Sequence, residues 1–360
     1  MRIIVAAAAA LVLSGPTVAT ASVVTDAFTS FWAMGDSLTD DGNLNRFAFA
    51  TGISNAPTSD TQGTAAYYQT GSFWSGYSGR FSNGATFAEH IADAFSDAGK
   101  VEGNLAYGGA QALGNGGIAG AFIDDLGEQL DRMEGGLQSQ FGDRPLVSLL
   151  MGANDIFEAL RSSDPMIQAL DAARRAADAV GDAVAALRSV GVDDFLISNL
   201  PDIGLTPAYS LIESGLKDAA TAASLAFNER LAARVADLRG DGANIVDLDL
   251  FAQIRDIVAN PGAFGFGDVT NPCMFDSAAR ASMYGQEQYC TDAESQARLF
   301  FDSVHPNLLA HRQTADLALA LLEQNLMPAA VPLPGGFALL LGGVAVMMPL
   351  RRRRRDKRAA

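Results

Sequence analysis

The feature that most constrains this chain is an alternation between short apolar runs and longer stretches with helical periodicity. The apolar runs have the length of β-strands and cover residues 30–35, 101–106, 145–151, 194–200 and 244–250. Amphipathic stretches with a helical period lie between and after them, at 86–98, 124–138, 166–190, 215–239 and 307–324. Strands that alternate with helices predict an α/β fold, in which helices cover both faces of a parallel sheet. In such folds the chemistry gathers at the carboxyl ends of the strands.

The composition limits the class of function. With 25 Lys and Arg against 41 Asp and Glu, the net charge is -16, which argues against nucleic acid as a partner because phosphate binding needs a basic face. A hydrophobic content of 49% with 18% charged residues is typical of a packed globular protein. Two Cys and three His exclude a disulfide-dense scaffold and a His- or Cys-rich zinc cluster. Any catalytic histidine is therefore His90, His305 or His311.

Residues 1–21 have the organisation of a secretory signal peptide. Arg2 precedes an apolar run, and Ala19, Thr20 and Ala21 form the small-x-small pattern of a signal-peptidase site. A buried first strand or helix is the alternative. We expect cleavage near Ala21 and export of the remaining chain to the cell envelope or the extracellular space.

The C-terminal tail, residues 329–360, has a different character. Its first 22 residues carry no charge, and five arginines follow at 351–355. This span is marginally long enough to cross a bilayer, because Pro332, Pro334 and Pro349 shorten its regular helix. Since arginines next to an apolar span stay cytoplasmic, we expect the tail to lie in the inner membrane with its end in the cytoplasm.

A permanent anchor and a cleavable sorting signal both fit this tail. It resembles the VPLPA variant of bacterial PEP-CTERM sorting signals in its residues 331–335 (VPLPG), its apolar run and its arginine cluster, with Gly335 where that variant has Ala. The resemblance implies processing by an exosortase-type transpeptidase. The tail has seven basic residues and one acidic residue, and the signal has one basic residue, so the body between them carries a net charge of -23.

Residues 22–328 are expected to form the folded body. Their length would allow two domains, but the regular alternation of strands and helices predicts one. A segment rich in Gly and aromatic residues at 41–83 is too long for an ordinary connection and too aromatic for a disordered linker. We interpret it as an ordered insertion near the functional site.

A serine follows the first predicted strand, in the sequence Gly35-Asp36-Ser37. The glycine allows a sharp turn, which would display the Ser37 hydroxyl at the carboxyl end of the strand, within reach of a base. A helix cap is the alternative, in which Asp36 or Ser37 accepts a backbone N–H without catalysing anything. This segment alone does not separate the two.

Two further strand ends carry hydrogen-bond donors. The second predicted strand leads to Gly108 and Gly109, whose backbone N–H groups a ligand can approach closely; an ordinary glycine turn is the alternative. The third leads to Asn154, whose amide can donate into the same crevice and stabilise an acyl-transfer transition state by about 3 kcal/mol. The alternative there is a helix cap by Asn154 or Asp155.

An acid and a histidine, Asp302 and His305, lie three residues apart just before the last predicted helix. On one turn, the carboxylate can hold one ring N–H and fix the tautomer whose other nitrogen faces the serine. His311 has no carboxylate three or four residues before it, and His90 lies in the helical stretch 86–98 as a solvated or packed residue. We therefore predict His305 as the base.

These four segments, in this order and at strand ends, resemble the GDSL lipases and esterases, or SGNH hydrolases, over about residues 31–324. Residues 79–84 (GRFSNG) also resemble the family's segment between its first and second blocks. The resemblance implies a three-layer α/β/α sandwich with a flavodoxin-like parallel sheet. It implies Ser37 as the nucleophile, His305 as the base and Asp302 as the acid that orients it.

The resemblance also implies an oxyanion hole. Its donors would be the backbone N–H of Ser37, the side chain of Asn154 and one glycine N–H. Alignment of the turn favours Gly109 for that glycine and leaves Gly108 open.

The implied reaction is hydrolysis of a small-molecule or lipid ester through an acyl-enzyme, and it requires no metal and no cofactor. An acyltransferase or a polysaccharide O-deacetylase would use the same triad. A non-catalytic surface or matrix protein is the alternative from another class, and it predicts a missing triad member, whereas all three are present. Phe73, Trp74 and Tyr77 either line an acyl groove or pack the insertion.

Two other patterns complete the prediction. Acidic residues around Gly42 suggest a calcium loop, but Ser37 and Thr39 would then stand where acids belong and no Glu closes the loop, so we predict no metal site. Cys273 and Cys290, in an exported chain, predict a disulfide that clamps the loop leading to the Asp and His, worth roughly 3 kcal/mol. Two buried free thiols are the alternative.

Overall fold

The fold is known from a computed structural model that describes residues 17–50, 62 and 78–327. Residues 1–16, most of the segment 51–77 and the tail from 328 lie outside the described residues. Phe73, Trp74 and Tyr77 therefore lie outside the described residues. So do residues 331–335, which carry the resemblance to a sorting signal. The chain forms one compact unit through Glu323 and a second unit from Gln324, of which only residues 324–327 are described.

One sheet of five parallel strands occupies the centre of the first unit, in the order β2-β1-β3-β4-β5. All residues of β1, β3 and β4 are buried, so both faces of the sheet are covered. Their nearly continuous apolar sequences are what a strand buried on both faces requires. The strands are β1 Ser30–Gly35, β2 Val101–Asn104, β3 Pro145–Leu150, β4 Asp194–Ser198 and β5 Asn244–Leu248.

Helices connect the strands and flank the sheet. In the part of the chain that is described they are α1 Thr17–Ala27, α2 Asn43–Ala50, α3 Phe87–Asp97, α4 Leu126–Arg132, α5 Ala153–Ala159, α6 Pro165–Ser189, α7 Lys217–Gly240, α8 Leu250–Ala259, α9 Ala278–Met283, α10 Asp292–Ala297 and α11 Leu308–Leu326. The connection from β1 to β2 crosses the sheet in the opposite direction to the later connections. Because crossovers between parallel strands are right-handed, α3 lies on one face and α4, α6 and α7 lie on the other. The predicted α/β fold with a three-layer α/β/α sandwich is confirmed.

The topology places a crevice at the carboxyl ends of β1 and β3. The chain leaves β1 for β2 at one edge and then returns to β3 on the other side of β1, which makes this the switch point of the sheet. Gly35 at the end of β1 pairs with Leu150 at the end of β3. The segments that follow these strands therefore lie side by side.

Several elements differ from the sequence-based expectation. The helix predicted at 124–138 is regular only in α4, and the chain continues as a π-helical turn, Met133–Leu137, because Gly135 and Gly136 weaken a helix by about 1 kcal/mol each. The helices α2, α5 and α8 were not predicted, since each is short and begins within a few residues of a strand or turn. Among the described residues no helix has both the length and the apolar character to span a membrane.

Candidate active site

Ser37 lies on a tight turn directly after β1. A side chain at Gly35 would meet the Leu150 carbonyl oxygen at 2.6 Å, so only glycine fits between the two strand ends. Asp36 accepts hydrogen bonds from the N–H groups that follow: its carbonyl oxygen from Thr39 and Asp40, and its Oδ1 from Leu38. The turn holds Ser37 at the carboxyl edge of the sheet, with 8% of its surface exposed.

His305 lies between the serine and an aspartate. Its Nε2 is 2.7 Å from Ser37 Oγ, and its Nδ1 is 2.7 Å from Asp302 Oδ2. The other carboxylate oxygen of Asp302 accepts the backbone N–H groups of Val304 and His305, so one acid fixes both the turn and the ring. The structure thus brings together Ser37, His305 and Asp302, which are far apart in sequence.

The Asp302 carboxylate is held in its charged form. Burial alone would raise its pKa, but the neighbouring imidazole of His305 and three hydrogen bonds outweigh burial and hold the pKa below its ordinary value. A carboxylate that remains ionised keeps the proton of the imidazole on Nδ1 and leaves Nε2 as the acceptor toward Ser37. The geometry and the charge therefore favour the same tautomer.

The loop that carries His305 is anchored by the segment 79–84. The Phe81 ring centroid lies 5.1 Å from that of His305, and Ser82 Oγ donates to the Pro306 carbonyl oxygen. Asn83 Oδ1 accepts the N–H of Leu308 at the start of α11. This segment therefore fixes the histidine loop. A second restraint comes from Cys273, which forms a disulfide with Cys290 and donates its N–H to the Phe300 carbonyl oxygen.

The two glycines after β2 differ in what their N–H groups do. Gly108 donates its N–H to Asp40 Oδ2 at 2.8 Å, and a side chain at this position would collide with the Phe81 ring. Gly109 has φ +82° and, among the described residues, its N–H has no hydrogen-bond partner. Of the two glycines, only Gly109 therefore has an N–H available to a ligand.

Asn154 lies at the start of α5, beyond the end of β3. Its Nδ2 donates to the Ala110 carbonyl oxygen at 2.9 Å, which uses one of its two amide hydrogens and holds the side chain next to the Gly109 turn. Gly152 precedes it with φ +125°, a conformation that favours glycine. The Ser37 N–H also has no partner among the described residues. The three donors thus follow the ends of three neighbouring strands, β2, β1 and β3.

Buried carboxylates hold these turns in place; the sequence analysis considered Asp36 and Asp155 only as helix caps and did not single out Asp40. Asp40 accepts N–H groups at both oxygens, from Gly42, Asn43, Leu44 and Gly108. Asp155 accepts the N–H groups of Ala112 and Leu113. Burial raises the pKa of Asp36, Asp40 and Asp155 to about 6.

Gln129 on α4 also escaped the sequence analysis. Its side chain is fully buried and pairs with the backbone of Gly35 in both directions, as acceptor from the N–H and donor to the carbonyl oxygen. It thereby fixes the end of β1 immediately before the serine turn. A buried Gln in a short helix gives no recognisable sequence signal.

The other two histidines lie elsewhere. His90 lies on α3, where burial lowers its pKa. His311 lies on α11 with 3% of its surface exposed, and burial lowers its pKa to about 3. Its Nδ1 accepts the Phe87 N–H, whereas its Nε2 has no partner among the described residues.

Comparison with known proteins places this chain in a family. A family model described as GDSL-like Lipase/Acylhydrolase matches residues 31–318. A GDSL esterase/lipase from Arabidopsis thaliana is 24% identical, over 80% of this chain and 85% of that protein. A phosphatidylcholine-sterol acyltransferase from Aeromonas hydrophila is also 24% identical, over 69% of this chain and 82% of that protein. A solved GDSL-like lipase from Parabacteroides merdae has a TM-score of 0.41 at 11% identity and covers 81% of this chain and 94% of its own.

The family match extends from the second residue of β1 into α11, and so includes all four motif segments and nearly all of the sheet. It covers well over half of the chain. Esterases and lipases recur among the matched proteins. The chain therefore belongs to the GDSL-like lipase/acylhydrolase family and is a hydrolase that acts on esters.

Proposed function

We propose that the protein is an exported serine esterase or lipase in which Ser37 is the nucleophile, His305 the general base and Asp302 its orienting acid. The observation that carries this proposal is the pair of 2.7 Å contacts that join Ser37 Oγ, the two nitrogens of His305 and Asp302 Oδ2. A serine hydroxyl becomes a useful nucleophile only when a neighbouring base accepts its proton, and this chain of contacts meets that need.

In the first half of the reaction, Ser37 Oγ attacks the carbonyl carbon of the ester while His305 Nε2 takes the hydroxyl proton. The carbonyl oxygen becomes an oxyanion, which the N–H groups of Ser37 and Gly109 and the second amide hydrogen of Asn154 stabilise. When the tetrahedral intermediate collapses, His305 returns the proton to the alcohol oxygen as the C–O bond breaks. The acyl group remains on Ser37 Oγ.

In the second half, water takes the place of the alcohol. His305 accepts a proton from the water while the water oxygen attacks the acyl carbon. The same three donors stabilise the second oxyanion. Collapse releases the carboxylic acid and returns the proton to Ser37 Oγ. Asp302 stabilises the imidazolium in both halves and does not itself take the proton.

Hydrolysis of p-nitrophenyl esters tests this proposal. We expect turnover by the intact exported body and its loss in Ser37→Ala, with Ser189→Ala, an exposed helix position, as the matched control. A fluorophosphonate probe should label Ser37, as located by peptide mass spectrometry. Hydrolysis that survives in Ser37→Ala would contradict the assignment.

Acyl transfer is a second candidate function, and the relative from Aeromonas hydrophila that is named an acyltransferase is the observation that favours it. An alcohol and water compete for the same acyl-enzyme, so the triad serves both reactions. Product analysis in the presence of an acceptor alcohol separates them, because transfer yields a new ester and hydrolysis yields only the acid.

Export and processing of the ends form a separate part of the proposal. The signal at 1–21 and the tail at 329–360, with its resemblance to a PEP-CTERM sorting signal, support export, transient insertion of the tail in the inner membrane and cleavage by an exosortase-type enzyme. Mass spectrometry of the mature termini from the native host tests it. We expect an N-terminus near residue 22 and loss of the arginine cluster, and an intact tail would contradict the sorting role.

A further inference from the structure

The start of α4 holds the end of β1 through one buried side chain. Gln129 accepts the Gly35 N–H at its Oε1, at 2.8 Å, and donates from its Nε2 to the Gly35 carbonyl oxygen, at 2.9 Å. The other Nε2 hydrogen goes to the Asp124 carbonyl oxygen. Both amide hydrogens are therefore used and the side chain is fully buried, so Gly35 is fixed relative to α4.

This contact lies one peptide group away from a donor of the proposed oxyanion hole. The Gly35 carbonyl belongs to the peptide that joins Gly35 to Asp36, and the Ser37 N–H belongs to the next peptide. Since each peptide is planar, only the two backbone dihedral angles of Asp36 separate the fixed group from the donor. Those angles are held in turn, because the Asp36 carbonyl oxygen accepts the N–H groups of Thr39 and Asp40.

The residue before α4 reaches the turn of the other backbone donor. Asp125 is the N-cap of α4, but its carboxylate makes no hydrogen bond to its own helix, as an N-cap aspartate usually does. Its oxygens instead accept the Gln111 N–H and both the N–H and the side-chain amide of Asn115. The second amide hydrogen of Asn115 goes to the Gly109 carbonyl oxygen at 3.0 Å. The carboxylate is thus diverted from its helix to the turn that carries Gly109.

Asp125 and Gln129 belong to one rigid turn. They are four residues apart, which places them on the same side of a helix, and the Gln129 N–H donates to the Asp125 carbonyl oxygen. One helical turn therefore holds the strand end before Ser37 and, through Asn115, the turn of Gly109. An oxyanion hole needs its donors at about 2.7–3.1 Å from a single oxygen, so the separation of the two N–H groups matters.

We infer that Gln129 and Asp125 are positioning residues, which set the separation of the Ser37 and Gly109 N–H groups. Neither side chain is itself a donor to the oxyanion, and each acts through the residues that it holds. The inference rests on the proposed function, because it takes these two N–H groups as donors to the oxyanion. It adds that α4, an element with no reacting group, determines how well they stabilise the transition state.

The same pairing occurs at another strand end and provides a matched control. Asn228 on α7 accepts the Leu200 N–H at 2.8 Å and donates to the Leu200 carbonyl oxygen at 2.9 Å. Leu200 follows β4, whose end carries none of the residues of the proposed mechanism. Loss of this amide removes the same kind of contact from the fold but leaves the oxyanion donors in place.

Kinetics per active site test the inference. Gln129→Met keeps the length of the side chain and removes its three hydrogen bonds, so we expect kcat for p-nitrophenyl acetate to fall by about tenfold to 100-fold, with KM changed less than about threefold. Asn228→Leu should stay within about threefold in both. Titration of Ser37 with a fluorophosphonate counts the active sites, so unfolded protein lowers the count and not kcat. Equal losses of kcat in the two variants would overturn the inference.

A thionoester shows which part of the reaction is affected. Sulfur in place of the carbonyl oxygen is larger and accepts hydrogen bonds poorly, so a thionoester gains little from the N–H donors. The ratio of kcat/KM for p-nitrophenyl acetate to that for p-nitrophenyl thionoacetate should therefore fall at least about threefold in Gln129→Met, as it should in Asn154→Ala, and remain unchanged in Asn228→Leu. An unchanged ratio in Gln129→Met would refute a role in positioning the donors.

Asp125→Asn tests the second half of the inference and is the milder change. It keeps the volume of the side chain and one acceptor oxygen, so it decides the question even where Gln129→Met does not fold. We expect kcat and the ratio of ester to thionoester turnover to fall by about threefold to tenfold. An unchanged ratio in this variant would contradict the inference that the start of α4 sets the separation of the donors.

The proposed function fails in a different way. Hydrolysis that survives in Ser37→Ala would contradict the assignment of the nucleophile, whatever the variants of α4 do. If Ser37→Ala is inactive and Gln129→Met behaves like Asn228→Leu, the proposed function stands and this inference alone is refuted.

Discussion

His305 and His311 lie close together in sequence and in entirely different surroundings. His305 is in a loop with a carboxylate on one ring nitrogen and a serine hydroxyl on the other. His311 is inside α11, where a backbone N–H donates to one nitrogen and the other nitrogen has no partner among the described residues. The difference shows that the neighbours of the two ring nitrogens, and not the residue type, decide whether an imidazole can move a proton.

Separate substitutions of His305 and His311 should give the largest difference in kcat. His305→Ala should lower kcat for a p-nitrophenyl ester by about 10⁴-fold or more, because Ser37 loses the base that takes its proton. His311→Gln should lower it by less than about tenfold in a protein with unchanged far-UV circular dichroism. Comparable losses in the two variants would mean that His305 has no special role.

Removal of the Asp302 charge, which contacts Nδ1 of His305, should lower kcat nearly as much. Asp302→Asn keeps an acceptor for the turn but no longer fixes the proton on Nδ1, so we expect kcat to fall by about 10³- to 10⁴-fold at neutral pH. Asp268→Asn is the matched control, because Asp268 accepts the N–H groups of Thr270 and Asn271 in a turn of the same kind. Steady-state kinetics should leave that control within about threefold of the unmodified protein.

Loss of one oxyanion donor should have a smaller effect. Asn154→Ala removes the side-chain donor and should lower kcat by about 10²- to 10³-fold with little change in KM. The control is Asn199→Ala, since Asn199 follows the next strand, β4, and its side chain donates to Asp249 and not to the turn that carries Gly109. A selective rise in KM for Asn154→Ala would instead indicate a role in ground-state binding.

The smallest of these four expected effects is on stability. The free energy of unfolding should depend on pH in a way that His311 causes. In the folded state its pKa is about 3, against an ordinary value of 6.5, so the unfolded chain binds the proton first as pH falls. The contribution of His311 is therefore complete above pH 6.5, and about 3 kcal/mol of the free energy of unfolding is lost between pH 6.5 and 4. Chemical denaturation should show this loss in the unmodified protein and not in His311→Gln.

Buried acidic groups contribute a pH dependence of stability of the opposite sign. The effect of His311 is therefore measured as the difference between the unmodified protein and His311→Gln. Burial raises the pKa of Asp36, Asp40 and Asp155 to about 6, so their charged forms destabilise the fold as pH rises through 6. These groups are present in both proteins and cancel in the difference. Parallel pH curves for His311→Gln and the unmodified protein would refute the assignment of the shift to His311.

Much of the fold was predictable because its signals are local. The first strand was predicted with its observed bounds, and the other four end only one or two residues earlier than predicted, where the chain turns away from the sheet. The short helices α5 and α8 were missed because they begin at strand ends, where a few residues give no helical period. The helix predicted at 124–138 was too long, because the glycines of this segment interrupt a regular amphipathic pattern.

The residues of the candidate site also divide into those that the sequence predicts and those that only the tertiary structure identifies. Asp302 and His305 could be paired from sequence alone, since three residues of one turn bring a carboxylate to a ring nitrogen. The choice between Gly108 and Gly109 needed the tertiary structure, because it depends on Asp40, whose carboxylate takes the Gly108 N–H. Gln129 was beyond prediction, since nothing in its own helix indicates a contact with Gly35.

The sequence by itself determined the alternation of strands and helices, the position of Ser37 after a strand and the local Asp302–His305 pair. Only the tertiary structure decided that His305 Nε2 meets Ser37 Oγ and which glycine has an N–H without a partner among the described residues. The physical reason is the range of the interactions. Hydrogen bonds within one turn are fixed by spacing along the chain, whereas contacts between residues more than 200 positions apart depend on the strand order that brings their segments to one edge of the sheet.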